Sequence, residues 1–163
     1  MKPIAILAAL SLALSAGPVL AQNAAQIDRA RSGASCPRCN LFQADFSRSQ
    51  LRARNFAGAR LRQADFSASE MDHASFAGGD LRDVNAYGGR FTGTNFSGAN
   101  LTNASFVGAY LQGADFRGAR LAGVNFSGAE MDRARGLSQG QLFAACGDEA
   151  TRLPPGMRLR RCD

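Results

Sequence analysis

The chain has 163 residues, 45% apolar and 20% charged, with 18 Gly, 11 Phe, 4 Cys, one His, no Trp and a net charge of +6. That is one domain's worth of sequence, which excludes a large enzyme with separate cofactor and substrate domains, and the recurrence of apolar residues throughout excludes a wholly disordered chain. The basic balance, with a sequence pI near 9.9, suits anionic partners and bears on association and solubility rather than on fold.

The first 21 residues read as a secretory signal peptide. Lys2 precedes an uncharged run from Pro3 to Ala16, a breaker pair Gly17-Pro18 and a small-residue ending Val19-Leu20-Ala21. The run falls short of the about 20 residues a membrane span needs, and Val-x-Ala suits cleavage, so the mature chain is expected to begin at Gln22. Its expected location is periplasmic or secreted, with no stable membrane insertion. The leader carries the only Lys, leaving 18 Arg against 13 acidic residues. An oxidising compartment also makes the four Cys disulfide candidates first. Residues 22–38 form an N-terminal cap, in which Ala24 to Arg31 predicts a short helix ending near Gly33, with Ile27 as its one sizeable anchor.

From Cys39 to Arg135 the sequence repeats every five residues. The unit is a small residue, a polar one, a large apolar centre and two polar or small residues, as in Ala44-Asp45-Phe46 and Ala114-Asp115-Phe116. Of nineteen centres from Leu41 to Met131, eighteen are Phe, Leu or Met, and only Ala86 departs. Two positions earlier the residue is small in eighteen cases, with Arg54 the exception. A five-residue period winds round a helix without making a stripe, and in a continuous strand it sends successive centres to opposite faces. The pattern therefore predicts short extended pieces, with the small and large residues inward and the polar one outward, each followed by a corner. Ten of the nineteen closing positions are Gly, where a corner needs a left-handed backbone.

The centres alternate Phe with Leu or Met. Like stacks on like only with an even number of sides, and four sides of five residues leave room for a core. Face one then carries Leu41, Leu61, Leu81, Leu101 and Leu121; face two carries Phe46, Phe66, Ala86, Phe106 and Phe126. Leu51, Met71, Phe91, Leu111 and Met131 line face three, and Phe56, Phe76, Phe96 and Phe116 line face four. The misplaced Phe91 follows the missing Phe at Ala86, so Phe91 is expected to fill the vacated volume.

On these registered repeats the sequence resembles the pentapeptide-repeat family. The resemblance implies an all-β solenoid, a right-handed quadrilateral β-helix, here roughly 23 Å long at about 4.8 Å per coil. Such a rod must cover its open ends or stack on a neighbour, possibilities that include an end-to-end homodimer. Residues 136–163 read as a C-terminal capping helix and tail. Ser138 is the N-cap, Gln141 closes a capping box, Leu137 staples onto Leu142, and the helix is expected to run to about Cys146 and stop at Gly147, with Leu142 and Phe143 sealing the last coil. The Cys fall in two pairs at opposite ends of the rod. Because bonded Cys need Cα atoms within about 7 Å, the predicted disulfides are Cys36–Cys39 and Cys146–Cys162. Inward Arg54 is expected to send its guanidinium out or to an acid near the N-terminal cap.

Catalytic signatures are sparse. His73 falls at a corner and reads as a solvated side chain, the Asp residues at outward positions read as corner caps, and no cofactor, metal or phosphate-loop motif is present. The chain therefore reads as a non-enzymatic structural or interaction module for a partner protein, with no nucleic acid expected. Its candidate surfaces are an Arg strip on face one and an aromatic patch. In the strip Arg62 and Arg82 stack, Arg60 and Arg120 lie nearby, and Asp80 is the only acid between, pairing with Arg60 or with none. The patch holds Tyr87 and Val107 with Tyr110 beside them at the corner of faces two and three. The strip makes an anionic envelope polymer the alternative partner. A redox reading rests on Cys36-Pro37-Arg38-Cys39 alone, without the strand-helix setting such motifs use. Topoisomerase regulation by DNA mimicry, implied by some family members, calls for acidic faces that this basic chain lacks.

Overall fold

The computed structural model describes residues 23–162; the leader and its cleavage site lie outside the described residues. Parallel bridges join residues twenty apart in four series: Asn40–Arg60–Asp80–Asn100–Arg120, Asp45–Asp65–Asn85–Ser105–Asn125, Gln50–Glu70–Arg90–Tyr110–Glu130 and Asn55–Ser75–Asn95–Asp115–Arg135. Each outward polar residue is thus one rung of a ladder, and four ladders close the coil. The spacing follows from the backbone: Leu41 N donates to Arg60 O, and Arg60 N donates back to Cys39 O, both at 2.8 Å.

Inside, the centres stack by face as the alternation predicts. Phe46 lies on Phe66 with ring centroids 5.3 Å apart, Phe56 on Phe76 at 5.4 Å, and Phe96 on Phe116 at 5.3 Å, all close to parallel. Across the coil, the opposite faces two and four meet edge to face at Phe66 and Phe76, 5.5 Å apart, so an aromatic edge points at an aromatic face. At the defect, Phe91 sits between Phe66 and Phe106, edge-on to each at 6.4 and 5.5 Å. It occupies the place that a Phe at position 86 would fill. Gly89 makes this possible, since a Cβ there would lie 2.6 Å from the Phe91 ring. Polar residues at small positions bond inward to backbone: Ser69 Oγ donates to Phe66 O, and Thr94 Oγ1 to Met71 O.

Corners turn on a left-handed residue. Gly58, Gly78 and Gly98 take φ near +65°, but Gln63, His73 and Asp83 adopt φ near +60° in equivalent places. Where the preceding rung is Asp or Asn, its side chain steadies the corner. Asp45, Asp65, Asn85 and Asn125 accept from the backbone N–H two residues on, the local bond that favours Asp and Asn at turns.

Helix α1, Ala24–Arg31, matches the expected helix, with Asn23 accepting from Gln26 N and Ile27 and Ala30 buried. Side chains finish the N-terminal edge: Gln26 Oε1 accepts from Asn40 N, Ser35 Oγ from Asn55 N, and Arg31 Nε donates to Asp45 O. Cys36 N and Arg38 N already donate to Asn55 O and Ala57 O, so the ladder begins at Cys36, one side earlier than the frame set by large centres. Arg54 is exposed, with its guanidinium within 4.0 Å of where a Gly33 Cβ would stand.

The C-terminal helix is shorter than expected. Helix α2 spans Gln139–Phe143, with the predicted Ser138–Gln141 capping box formed, and ends at Ala144. Cys146–Gly147 is instead a strand, β1, paired in parallel with β2, Arg160–Arg161. Cys146 bridges Asn125 and Arg152 bridges Glu130, so the ladders claim Cys146 from the expected helix and continue into the tail at Arg152. Of the two residues expected to seal the last coil, Leu142 is buried, but Phe143 is 72% exposed, because a helix this short buries one side only. Gln141 does more than close the box: its Nε2 donates to Phe116 O at 3.0 Å and Ala119 O at 2.9 Å, satisfying the last coil's carbonyls. Both predicted disulfides are formed, with Cα atoms 5.5 Å apart for Cys36–Cys39 and 4.9 Å for Cys146–Cys162.

Candidate interaction surface

The core is filled along the ladders, so chemistry is confined to the outside. On face one the Arg strip is paired differently from the expectation. Arg82 Nε and Nη2 donate to Asp80 Oδ1 and Oδ2, each at 2.7 Å. Asp80 therefore serves Arg82, not Arg60, and that contact holds its carboxyl below the ordinary carboxylate range and raises Arg82. Asp80 is also not the only acid: Arg62 Nε donates to Asp83 Oδ2 at 3.3 Å, a diagonal reach to the next coil. Asp83 in turn accepts from Asn103 Nδ2. Arg60 and Arg120 point outward from their rungs and make no ion pair among the described residues. Half-exposed Phe42, which its corner position hid among polar residues, joins Asn40, Arg60, Arg62, Asp80 and Arg82 around a recess of about 230 Å³.

Face three carries a charge network that the repeat pattern concealed. Arg52 pairs with Glu70 at 2.8 Å, and Arg90 with Asp72 at 2.9 Å. Asp72 is buried and also accepts from Thr92 N at 3.0 Å. Two cations and two anions cancel there, so the network braces the corner and offers no net charge. The equivalent Asp132 near the C-terminal end has a buried Oδ1 without a partner. The Glu130–Arg152 rung places Pro154 where Thr92 stands for Asp72, and proline has no N–H to give.

His73 is exposed and leans over Gly93, where a Cβ would lie 2.6 Å from its Nδ1. A trench of about 430 Å³ runs beside it, lined also by Gln112, Gly113, Arg133 and Arg135. No acid, base and nucleophile converge in it. Cys36 occupies a buried centre position and Cys39 a small position, and the two are bonded to each other. That setting lacks the helix N-terminus that activates a redox thiol.

The family model for pentapeptide repeats matches this sequence in eight copies, over residues 55–85, 80–121 and 99–135. The chain belongs to the pentapeptide-repeat family. This pentapeptide-repeat protein is similar to one from the thylakoid lumen of Arabidopsis thaliana, at 29% identity and a TM-score of 0.61, covering 75% of this chain and 83% of that one. A pentapeptide-repeat protein from Nostoc is 24% identical with a TM-score of 0.49, covering 84% of this chain and 88% of that one. No curated protein sequence matches.

On this pentapeptide-repeat protein the aromatic residues lie where the frame put them. Tyr87 follows Asn85 at the corner between faces two and three, its N–H bonded to Asn85 Oδ1, and Val107 occupies the same corner one coil on. Gly88 N donates to Val107 O, which fixes that register. Tyr110 is a rung of face three between Arg90 and Glu130. Tyr87 is 61% and Tyr110 46% exposed, whereas Val107 is half-buried. Together with Phe143 these tyrosines are the exposed large apolar side chains among the described residues.

Proposed function

We propose that this chain is an exported, non-enzymatic interaction module whose rigid faces dock a partner protein, with the Tyr87, Val107 and Tyr110 corner as the contact. The exposure of two tyrosines beside a valine on one corner carries the reading, since among the described residues the other large apolar side chains of the ladders, half-exposed Phe42 apart, are inward. Tyr side chains give contact area at small entropic cost and keep a polar tip for hydrogen bonding. The ladders hold the three residues in fixed register, so little ordering accompanies binding. In this reading the coil is right-handed, as in its family, and α2 with the disulfide-tied tail caps its C-terminal end. The basic surface is the wrong sign for a DNA mimic.

A photo-crosslinking side chain placed at Tyr87 or Tyr110 should give a discrete adduct in cells exporting the protein, whereas one at Thr102 should not. Equal labelling at all three positions, or none, refutes the corner as a docking surface. N-terminal sequencing of the exported form should begin at Gln22; a retained leader refutes export by cleavage. End-to-end homodimerisation is a second reading, favoured by Phe143 standing exposed on α2. Light scattering should show a dimer that Phe143→Ser converts to monomer, and a monomeric wild type removes it.

A further inference from the structure

On the outer wall a rung residue and the corner residue two places on stand side by side. Two such pairs close on themselves. Asp80 and Arg82 share two 2.7 Å hydrogen bonds, and on face four Arg117 Nε and Nη2 reach Asp115 Oδ2 at 2.9 and 2.6 Å. The fold therefore sets this pair of positions at the spacing of a forked guanidinium–carboxylate contact, the geometry that makes Arg selective for planar anions.

On the coil before Asp80 and Arg82 the same two places hold Arg60 and Arg62. No acid stands at the rung. Arg60 makes no ion pair among the described residues, and Arg62 engages Asp83 through Nε alone. One coil below lie Asn40 and the half-exposed ring of Phe42, so the recess has two guanidinia on one side and an apolar plate on the other. Its six lining residues carry three Arg and one Asp, and that Asp is already committed to Arg82.

We propose that Arg60 and Arg62 bind an external carboxylate where the next coil supplies its own, and that Phe42 packs against the ring bearing it. The ligand class is a ring-borne carboxylate, either an aryl carboxylate or a hexuronate unit. The site is single. Farther along face one the same two places hold Asn100 with Thr102, closed by a 2.7 Å bond, and Arg120 with Ala122, so the double-Arg arrangement does not recur. The proposal is independent of the tyrosine corner.

The test follows the Arg62 Nε–H and Phe42 ring signals by NMR while the mature protein is titrated with benzoate, galacturonate, an oligogalacturonate, acetate, inorganic phosphate and glucose. Benzoate and galacturonate should give saturable shifts at millimolar concentration, with glucose inert. A gain for the oligomer beyond its count of units assigns the source to a polymer, and equal affinity per unit assigns it to small molecules; both support the ligand class. Arg60→Asp places a carboxylate at the rung, and its closure on Arg62 should weaken both ligands about tenfold or more, with thermal stability kept. Arg60→Gln should show a smaller loss without the new pair. Phe42→Ala should weaken benzoate but not acetate. Phosphate binding as tight as benzoate overturns the ligand class. Absence of saturable shifts, or undiminished binding by Arg60→Asp, overturns the site.

Discussion

Phe91 and Ala86 make a compensating pair, which a double-mutant cycle can expose. In Phe91→Leu the Phe66 and Phe106 rings lose the edge that separates them at 6.4 and 5.5 Å, and the side chain that remains is too short to span them. The lost transfer and cavity terms come to about 1–2 kcal/mol. Ala86→Phe alone drives a second ring into volume that Phe91 already fills, at about 1–3 kcal/mol or above. Made together, the two changes restore Phe on face two and Leu on face three, the arrangement of the neighbouring coils, so the double variant should lie within about 1 kcal/mol of wild type. The expected coupling is about 1–5 kcal/mol, outside the additivity found for independent sites. Denaturant unfolding followed by far-UV circular dichroism, with both disulfides oxidised, measures it. Gly89→Ala adds a check: its Cβ would lie 2.6 Å from the Phe91 ring, so it should cost more in wild type than in the double variant. Additive single effects refute the view that Phe91 stands in for the missing ring.

Three further perturbations address the wall and the ends. Hydrogen bonds from Arg82 and Arg117 hold the Asp80 and Asp115 carboxyls below their ordinary range. Their stabilisation is therefore complete above the unfolded value of about 3.9 and is lost as pH falls through the folded value. Asp115→Asn should be less stable than wild type at pH 7 by about 0.5–1 kcal/mol, with the gap closing on acidification below about pH 4; a gap that widens contradicts the assignment. Replacing Cys146 and Cys162 by Ser should cost about 3 kcal/mol, against about 2 for the shorter Cys36–Cys39 loop, on the loop-entropy scale. Calorimetry gives both values, and the reverse ranking refutes loop closure as the dominant effect. Gln141→Leu removes the donor to Phe116 O and Ala119 O together with half of the capping box, at about 1–2 kcal/mol. Faster exchange of the α2 amides should accompany that loss, and unchanged exchange and stability would show the two bonds to be dispensable.

How much could be read in advance depended on whether a feature shared the five-residue period. Centres such as Phe46 and Leu61, the small Ala residues two places before them and the left-handed corners are set by the coil, so any one of them predicts its neighbours. Cys36 obeys the same period, yet it is neither Phe nor Leu, and a frame keyed on large residues starts one side late. The Arg62–Asp83 contact runs diagonally between coils and depends on side-chain reach, which a rung-by-rung reading does not contain. The Asp80–Arg82 bond was hidden for a related reason: the frame compared Asp80 with its vertical neighbour Arg60, while the fork closed along the strand. Phe42 lies in the corner position, where the five-residue pattern places polar or small residues, so the period alone does not mark it. At the C-terminal end the capping box was legible from Ser138 and Gln141 alone. The helix length was not, because Cys146 is recruited by the rung at Asn125, which only the closed coil presents.

The same separation bears on how such a wall acquires a site. Rung and corner side chains point away from the core, and a rung's backbone groups are already bonded to the adjoining coil, as Arg60 is through Cys39 O and Leu41 N. Exchanging an acid for an arginine at a rung therefore removes one exposed ion pair, worth about 0–1 kcal/mol, and disturbs no packing. At Asp80 and Arg82 the wall satisfies itself, whereas at Arg60 and Arg62 it holds two guanidinia and leaves a carboxylate's place unfilled. Like charges held side by side oppose each other, at a cost comparable to the ion pair they forgo, and an arriving anion relieves that opposition. The difference between an inert coil and a binding coil in this fold thus reduces to the sign of one outward residue, and Arg60→Asp should convert the second into the first without altering the prism.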